Sequence, residues 1–184
     1  MEAQNTKGVI FLGDAGVGKT TIIHKQRNET VDPAETISTD SFPATVNDVD
    51  LLLYDTAGQE RFRSTATFFY NKASVAVVVY DVNNLQSFQD LDYWINSLRD
   101  YRDQLKLVLV GNKTDLAQSF DTEGIKKLAE QNNCTYVLTS AKTGAGIEDL
   151  FNIIAESASE VNAPIKIEET IDLNQDSNKK NNCC

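Results

Sequence analysis

Cysteine is scarce, with 3 residues in a chain of 184, and two of those are Cys183 and Cys184. No disulfide framework can be assembled from that, and a reducing compartment is expected. Histidine is scarcer, with His24 alone, so a His-based metal site or a Ser-His-Asp triad has little to build on. Positive charge is short as well. Lys and Arg number 17 against 27 Asp and Glu, a net charge of −10. That balance excludes nucleic acid as a partner held by charge, and anionic lipid held without help. No long apolar run occurs: Val75–Tyr80 falls far short of the roughly 18 residues a membrane span needs. The opening Met1–Lys7 is polar and predicts no secretory signal. Glu2 excludes N-myristoylation.

What is present is an ordinary supply of core. Hydrophobic residues make up 41% of the chain, enough for one domain without staples. Val9–Leu12, Leu51–Tyr54, Val75–Tyr80, Leu107–Val110 and Tyr136–Leu138 read as strands. Their nearly continuous apolar character predicts burial on both faces, as in a parallel sheet. Ser41–Val46 alternates more weakly, and Asn47-Asp48 follows as a tight turn. Residues 41–54 therefore read as a hairpin adding one antiparallel edge strand. Helical spacing is clearest at Phe88, Leu91, Ile95, Leu98 and Arg102, and again from Ile147 through Leu150, Phe151, Ile154 and Ala158 to Val161. Gly18–Arg27 and Thr122–Gln131 are shorter helix candidates. Such alternation predicts an α/β three-layer sandwich, with a mostly parallel six-stranded sheet, one antiparallel edge strand and about five helices. Beyond Asn162 the periodicity fades into Asn, Asp, Glu and Lys, with Pro164 closing the last helix. Residues 1–162 are expected to be one domain and 163–184 a flexible tail.

Gly13-Asp14-Ala15-Gly16-Val17-Gly18-Lys19-Thr20 fits the phosphate-loop pattern G-x-x-x-x-G-K-[ST], between a predicted strand and a predicted helix. Glycines let the backbone curl its N–H groups around phosphate oxygens, and the helix dipole adds to the attraction. Lys19 reaches for the β and γ phosphates, and Thr20 offers Mg²⁺ a hydroxyl. The motif predicts a P-loop nucleoside triphosphatase fold, but by itself does not choose between ATP and GTP. Asn112-Lys113-Thr114-Asp115 follows a strand end, where open α/β sheets place ligands. A carboxylate such as Asp115 accepts from both N–H groups on the edge of guanine, and adenine would leave it unpaired. Asn112 is expected to brace the loop and Lys113 to lay its stem over the base. Thr139-Ser140-Ala141-Lys142 follows the last strand, where a small residue lets backbone N–H groups approach a base oxygen. Asp55-Thr56-Ala57-Gly58-Gln59-Glu60 also follows a strand. An Asp there suits Mg²⁺ through water, Gly58 offers an N–H to a γ-phosphate, and Gln59 suits an attacking water.

The order of these segments resembles the Ras-like small GTPases over residues 7–160. Gly58-Gln59-Glu60-Arg61-Phe62-Arg63, Tyr80-Asp81-Val82, Ser87-Phe88 with Trp94, and Cys183-Cys184 are similar to the Rab branch. The resemblance implies a GTP/GDP-switched regulator of vesicle trafficking that hydrolyses GTP with Mg²⁺. Its phosphates would lie on Lys19 and on the loop from Asp14 and Ala15 to Thr21. It implies Thr20 as a direct metal ligand, Asp55 as a ligand through water, and a switch threonine that joins them in the GTP state. Gln59 would position the hydrolytic water. Asn112, Lys113, Asp115, Ser140, Ala141 and Lys142 would form the base site. An exchange factor, a GTPase-activating protein, effectors, a GDP-dissociation inhibitor and a prenylation escort are the implied partners. Two prenyl groups on Cys183 and Cys184 would hold the chain on the cytoplasmic face of intracellular membranes, cycling with cytosol. The physics fits, because one lipid chain anchors only marginally and two anchor stably. With 3 Lys and 4 acids in residues 163–184, no polybasic patch assists.

Two rivals are weighed against this reading. One is a GTP-binding interaction module with little or no hydrolysis, favoured by Ala15 near the γ-phosphate and opposed by Gln59. The other is a nucleotide kinase, which needs a second, Arg-rich substrate site that is not evident here. Switch I departs most from the family. It reads Val31-Asp32-Pro33-Ala34-Glu35-Thr36-Ile37-Ser38-Thr39-Asp40-Ser41-Phe42. Thr36 is the best match for the metal ligand and Thr39 is the alternative. Val31 stands near the place of an aromatic residue that packs on guanine in the family. Losing that packing weakens retention, so GDP is expected to dissociate faster than is usual for the family. A release rate as slow as that of a typical member would refute this.

Overall fold

In the structure, a computed structural model describing residues 6–29, 40–56, 69–100, 105–116 and 122–161, the apolar runs form one six-stranded sheet. Its strands are β1 (Lys7–Leu12), β2 (Asp40–Val46), β3 (Val49–Asp55), β4 (Ala73–Asp81), β5 (Lys106–Asn112) and β6 (Thr135–Leu138), in the spatial order β2-β3-β1-β4-β5-β6. Every pairing is parallel except that of β2 with β3. The hairpin closes through Asn47 (φ 49°) and Asp48 (φ 61°), both in the left-handed region that a two-residue type I′ turn requires. Asn and Asp tolerate that region better than other side chains, so the expected turn forms where it was read.

Side chains alternate across a strand, and here both faces are covered. Val9 and Phe11 of β1, Val75, Val77 and Val79 of β4, and Val108 and Val110 of β5 face one core. That core is closed by Ile22 and Ile23 of α1 (Lys19–Gln26) and by Leu150, Phe151 and Ile154 of α5 (Ile147–Ser159). Ile10, Leu12, Ala76, Val78 and Leu109 face the opposite core. It is closed by Leu91, Trp94, Ile95 and Leu98 of α3 (Leu91–Arg99), and by Ile125 and Ala129 of α4 (Thr122–Gln131). The three expected layers are thus present, with five helices of at least five residues among the described residues.

One helix differs from expectation. The stripe from Phe88 to Leu98 is divided into α2 (Leu85–Gln89) and α3, joined at Asp90. Asn84 caps α2 by accepting from the backbone N–H groups of Gln86 and Ser87, which starts the helix upstream of the apolar stripe. Arg102, the tail 163–184 and the boundary at 162 lie outside the described residues.

The strand order reverses direction around β1: the chain passes to β3 on one side and to β4 on the other. Loops at the carboxyl ends of strands beside such a reversal form a ligand crevice. The loops after β1, β5 and β6 open there, with Asp55 and Thr56 at the described end of β3, and these segments carry the motifs.

Cys134 packs, partly buried, against the second core, and burial pushes its thiol up to about 11. At pH 8 that leaves far less thiolate than an ordinary cysteine holds. Alkylation of Cys134 at pH 8, followed by peptide mass, is therefore expected to run at least roughly tenfold slower than that of an unhindered thiol. The gap should narrow as pH approaches 11.

Candidate functional site

The phosphate loop leaves β1 at Gly13 and enters α1 at Lys19. Gly13 (φ 130°) lies so near β4 that a β-carbon would stand 2.1 Å from the Val79 carbonyl oxygen. Gly18 (φ 101°) would place a β-carbon 2.4 Å from the Asn112 amide nitrogen. Both positions need positive φ as well as the missing side chain. Ala15 and Gly16 are exposed between them, and Val17 is buried. Thr21 faces outward from the first turn of α1. Lys19 is buried, and its ammonium donates to the carbonyls of Gly13 and Asp14, each at 2.8 Å. Burial lowers its pKa to about 8, against the opposing pull of Asp55 and Asp14.

Thr20 and Asp55 meet beneath the loop. The Thr20 hydroxyl donates to Asp55 Oδ2 at 2.6 Å. Asp55 is buried at the end of β3, and its Oδ1 has no partner among the described residues. Burial pushes this carboxyl above the usual range, and the Thr20 hydroxyl and Lys19 pull the other way. A buried carboxylate oxygen in want of a partner, beside a hydroxyl, is the oxygen donor set that a hard divalent cation takes. Thr56, next along, anchors the strand end by donating to the Phe11 carbonyl at 2.6 Å. Thr36, Thr39, Gly58 and Gln59 lie outside the described residues.

The second half of the site is organised by Asn112. Its side chain is buried at the end of β5 and makes three hydrogen bonds. Nδ2 donates to the Val17 carbonyl at 2.9 Å. Oδ1 accepts from the Thr139 hydroxyl and from the Ala141 backbone N–H, each at 3.1 Å. Asn112 therefore braces more than its own loop, since it fastens the phosphate loop to both segments read for the base. Within the segment read for the base, the Ala141 backbone N–H is taken by Asn112.

Asp115 is held from the neighbouring loop. Ser140 donates to its Oδ1 at 2.6 Å, and the Lys142 ammonium stands 3.8 Å from its Oδ2. Lys113 adopts a left-handed backbone (φ 66°), and its ammonium pairs with Asp81 Oδ2 at 2.8 Å. Burial alone would raise the Asp81 carboxyl, but Lys113 and the backbone and side chain of Asn83 outweigh it and hold the pKa below the usual range.

Three supports escaped the sequence reading. Thr139 ties two loops, Asp81 anchors Lys113, and Trp94 donates its indole N–H to Asp14 Oδ1 at 3.0 Å. Asp81 had a recoverable signal. It ends β4 in register with Asn112, which puts a carboxylate beside the N-K-x-D loop. Trp94 also packs in the second core, and its place in the apolar stripe gives no sign of where its N–H points.

The model of the Ras family matches residues 8–160. The Ras-related protein Rab-5B of Plasmodium falciparum (isolate 3D7) is 38% identical over 162 residues, covering 83% of this chain and 78% of that relative. The chain belongs to the Ras family, as a Rab-type small GTPase that binds and hydrolyses GTP and regulates vesicle trafficking.

Removing the Asn112 side chain leaves the Val17 carbonyl, the Thr139 hydroxyl and the Ala141 N–H without their partner. Each buried group so stranded costs about 1–3 kcal/mol. Asn112→Ala is therefore expected to lose about 2–4 kcal/mol of stability in denaturant unfolding, and more than tenfold in guanine-nucleotide affinity by fluorescence titration. A stability loss with unchanged affinity would show that the three loops stay aligned without it.

Proposed function

We propose that the four loops at the carboxyl ends of β1, β3, β5 and β6 form one guanine-nucleotide site. The observation carrying this is the Asn112 side chain, whose three hydrogen bonds join the phosphate loop to the base loops. In this reading Lys19 and the amides from Asp14 and Ala15 to Thr21 hold the phosphates. The Lys19 ammonium already faces the loop, on the carbonyls of Gly13 and Asp14. Asp115, oriented by Ser140, accepts the N–H groups of guanine and is left unpaired by adenine, which gives the site its choice of base. Lys113, Ala141 and Lys142 complete the base pocket.

Thr20 and Asp55 would hold Mg²⁺, with Thr36 joining in the GTP state; the ion, when bound, neutralises charge on the β and γ phosphates. Gln59 positions the attacking water. Hydrolysis in such a site is mostly positioning and charge stabilisation, so the unaided rate is slow and an activating protein accelerates it. An exchange factor, effectors, a GDP-dissociation inhibitor and a prenylation escort complete the proposed cycle.

The proposed location is the cytoplasmic face of intracellular membranes, with prenyl groups on Cys183 and Cys184. No helix among the described residues is long and apolar enough to cross a membrane. Attachment through lipid is compatible with that.

The test is competition. The chain is loaded with a fluorescent guanine nucleotide and Mg²⁺, then chased separately with GTP, GDP and ATP. Displacement by GTP and GDP alone is expected. Displacement by ATP, or failure to load, would refute the base assignment.

A further inference from the structure

We propose that Trp94 is a positioning residue for the phosphate loop, acting through Asp14 to set how tightly the loop holds a nucleotide. The inference rests on the nucleotide-site reading and deepens it.

Asp14 is held twice. Its carboxylate accepts the indole N–H of Trp94 at 3.0 Å, and its backbone carbonyl accepts the Lys19 ammonium at 2.8 Å. Asp14, 80 positions from Trp94 in sequence, therefore joins a side chain of α3 to the cation of the phosphate loop. Trp94 is itself fixed. It is only 7% exposed and belongs to the core formed with Ile10, Leu12, Leu91, Ile95 and Leu98. A donor rooted in the core can hold its acceptor in one place.

The contact also opposes a repulsion. Burial pushes the Asp14 carboxyl up, the indole pulls it down, and the like charge of Asp90 pushes it up again. Without the indole N–H, Asp14 faces Asp90 with only the Lys19 charge, the smallest of these influences, to offset it. The carboxylate then turns toward water and takes its own peptide unit along, including the carbonyl that faces Lys19. That peptide lies in the curl whose N–H groups face phosphate. The loss therefore falls on the nucleotide-bound state. Apolar packing alone requires neither the N–H nor the acidic residue.

The experiment measures release of a fluorescent GDP analogue from the full chain, from Trp94→Phe, from Asp14→Ala and from the double variant. Phe keeps most of the apolar contact and removes only the donor. Each single variant is expected to release nucleotide roughly tenfold faster, the scale of one lost hydrogen bond to a charged acceptor. The double variant is expected to match the singles rather than multiply them. Trp94 is the only tryptophan in the chain, so its indole N–H gives one assignable resonance in the unsubstituted protein. That resonance should shift in Asp14→Ala.

Lower thermal stability of Trp94→Phe with unchanged release would overturn the inference in favour of packing alone. Multiplicative effects in the double variant would overturn it as well. If Trp94→Phe does not fold, Asp14→Ala decides, because unchanged release there ends the proposal. Failure of the unsubstituted chain to load guanine nucleotide would end the site reading and this inference together. Normal loading with unaltered variants would end this inference only.

Discussion

The Asn112 amide is the constraint on which the rest of the site depends. It is one planar group with a donor end and an acceptor end, buried where three chain segments converge. The donor end takes the Val17 carbonyl and the acceptor end takes Thr139 and Ala141. An unmet partner there would carry a full desolvation cost, so the three segments have one favourable arrangement. The absence of a side chain at Gly18 belongs to the same constraint, since a β-carbon would occupy the space of the Asn112 amide nitrogen. Phosphate loop and base loops are thereby set at a fixed separation before any ligand contact is considered.

The sheet makes that convergence possible. Parallel strands present their carboxyl ends on one side, and the reversal of order around β1 opens a crevice between neighbouring loops. The two cores then fix the strands from both faces, with Val9 and Phe11 on one side and Ile10 and Leu12 on the other. Precision at the loops is inherited from packing several residues below them.

Much of this was legible because it is local. Strands buried on both faces write themselves as apolar runs, and Asn47-Asp48 marks a turn through its tolerance of positive φ. The phosphate loop is legible for a related reason, since Gly13 and Gly18 occupy positions where a β-carbon would collide. What could not be read is the pairing of groups distant in sequence. Asn112 was recognisable as a brace, but its reach to Val17 depends on how β5 lies relative to the β1–α1 loop. Trp94 looked like any core aromatic, because its apolar body satisfies helical spacing whether or not its N–H has a destination. The division between α2 and α3 was hidden in the same way, since the apolar stripe runs through Asp90 without a break in period.

The two borders of the sheet have a consequence for crowding. β6 is only four residues long, and β2 carries Pro43, which brings no N–H, with charged Asp40 exposed at its start. Short edges, edge charges and edge prolines are the features that keep one chain's unpaired backbone from templating another's. Copies held side by side at high local density therefore meet through side chains and not by sheet extension. The fold can be concentrated on a surface without inviting the strand-to-strand growth that begins aggregation.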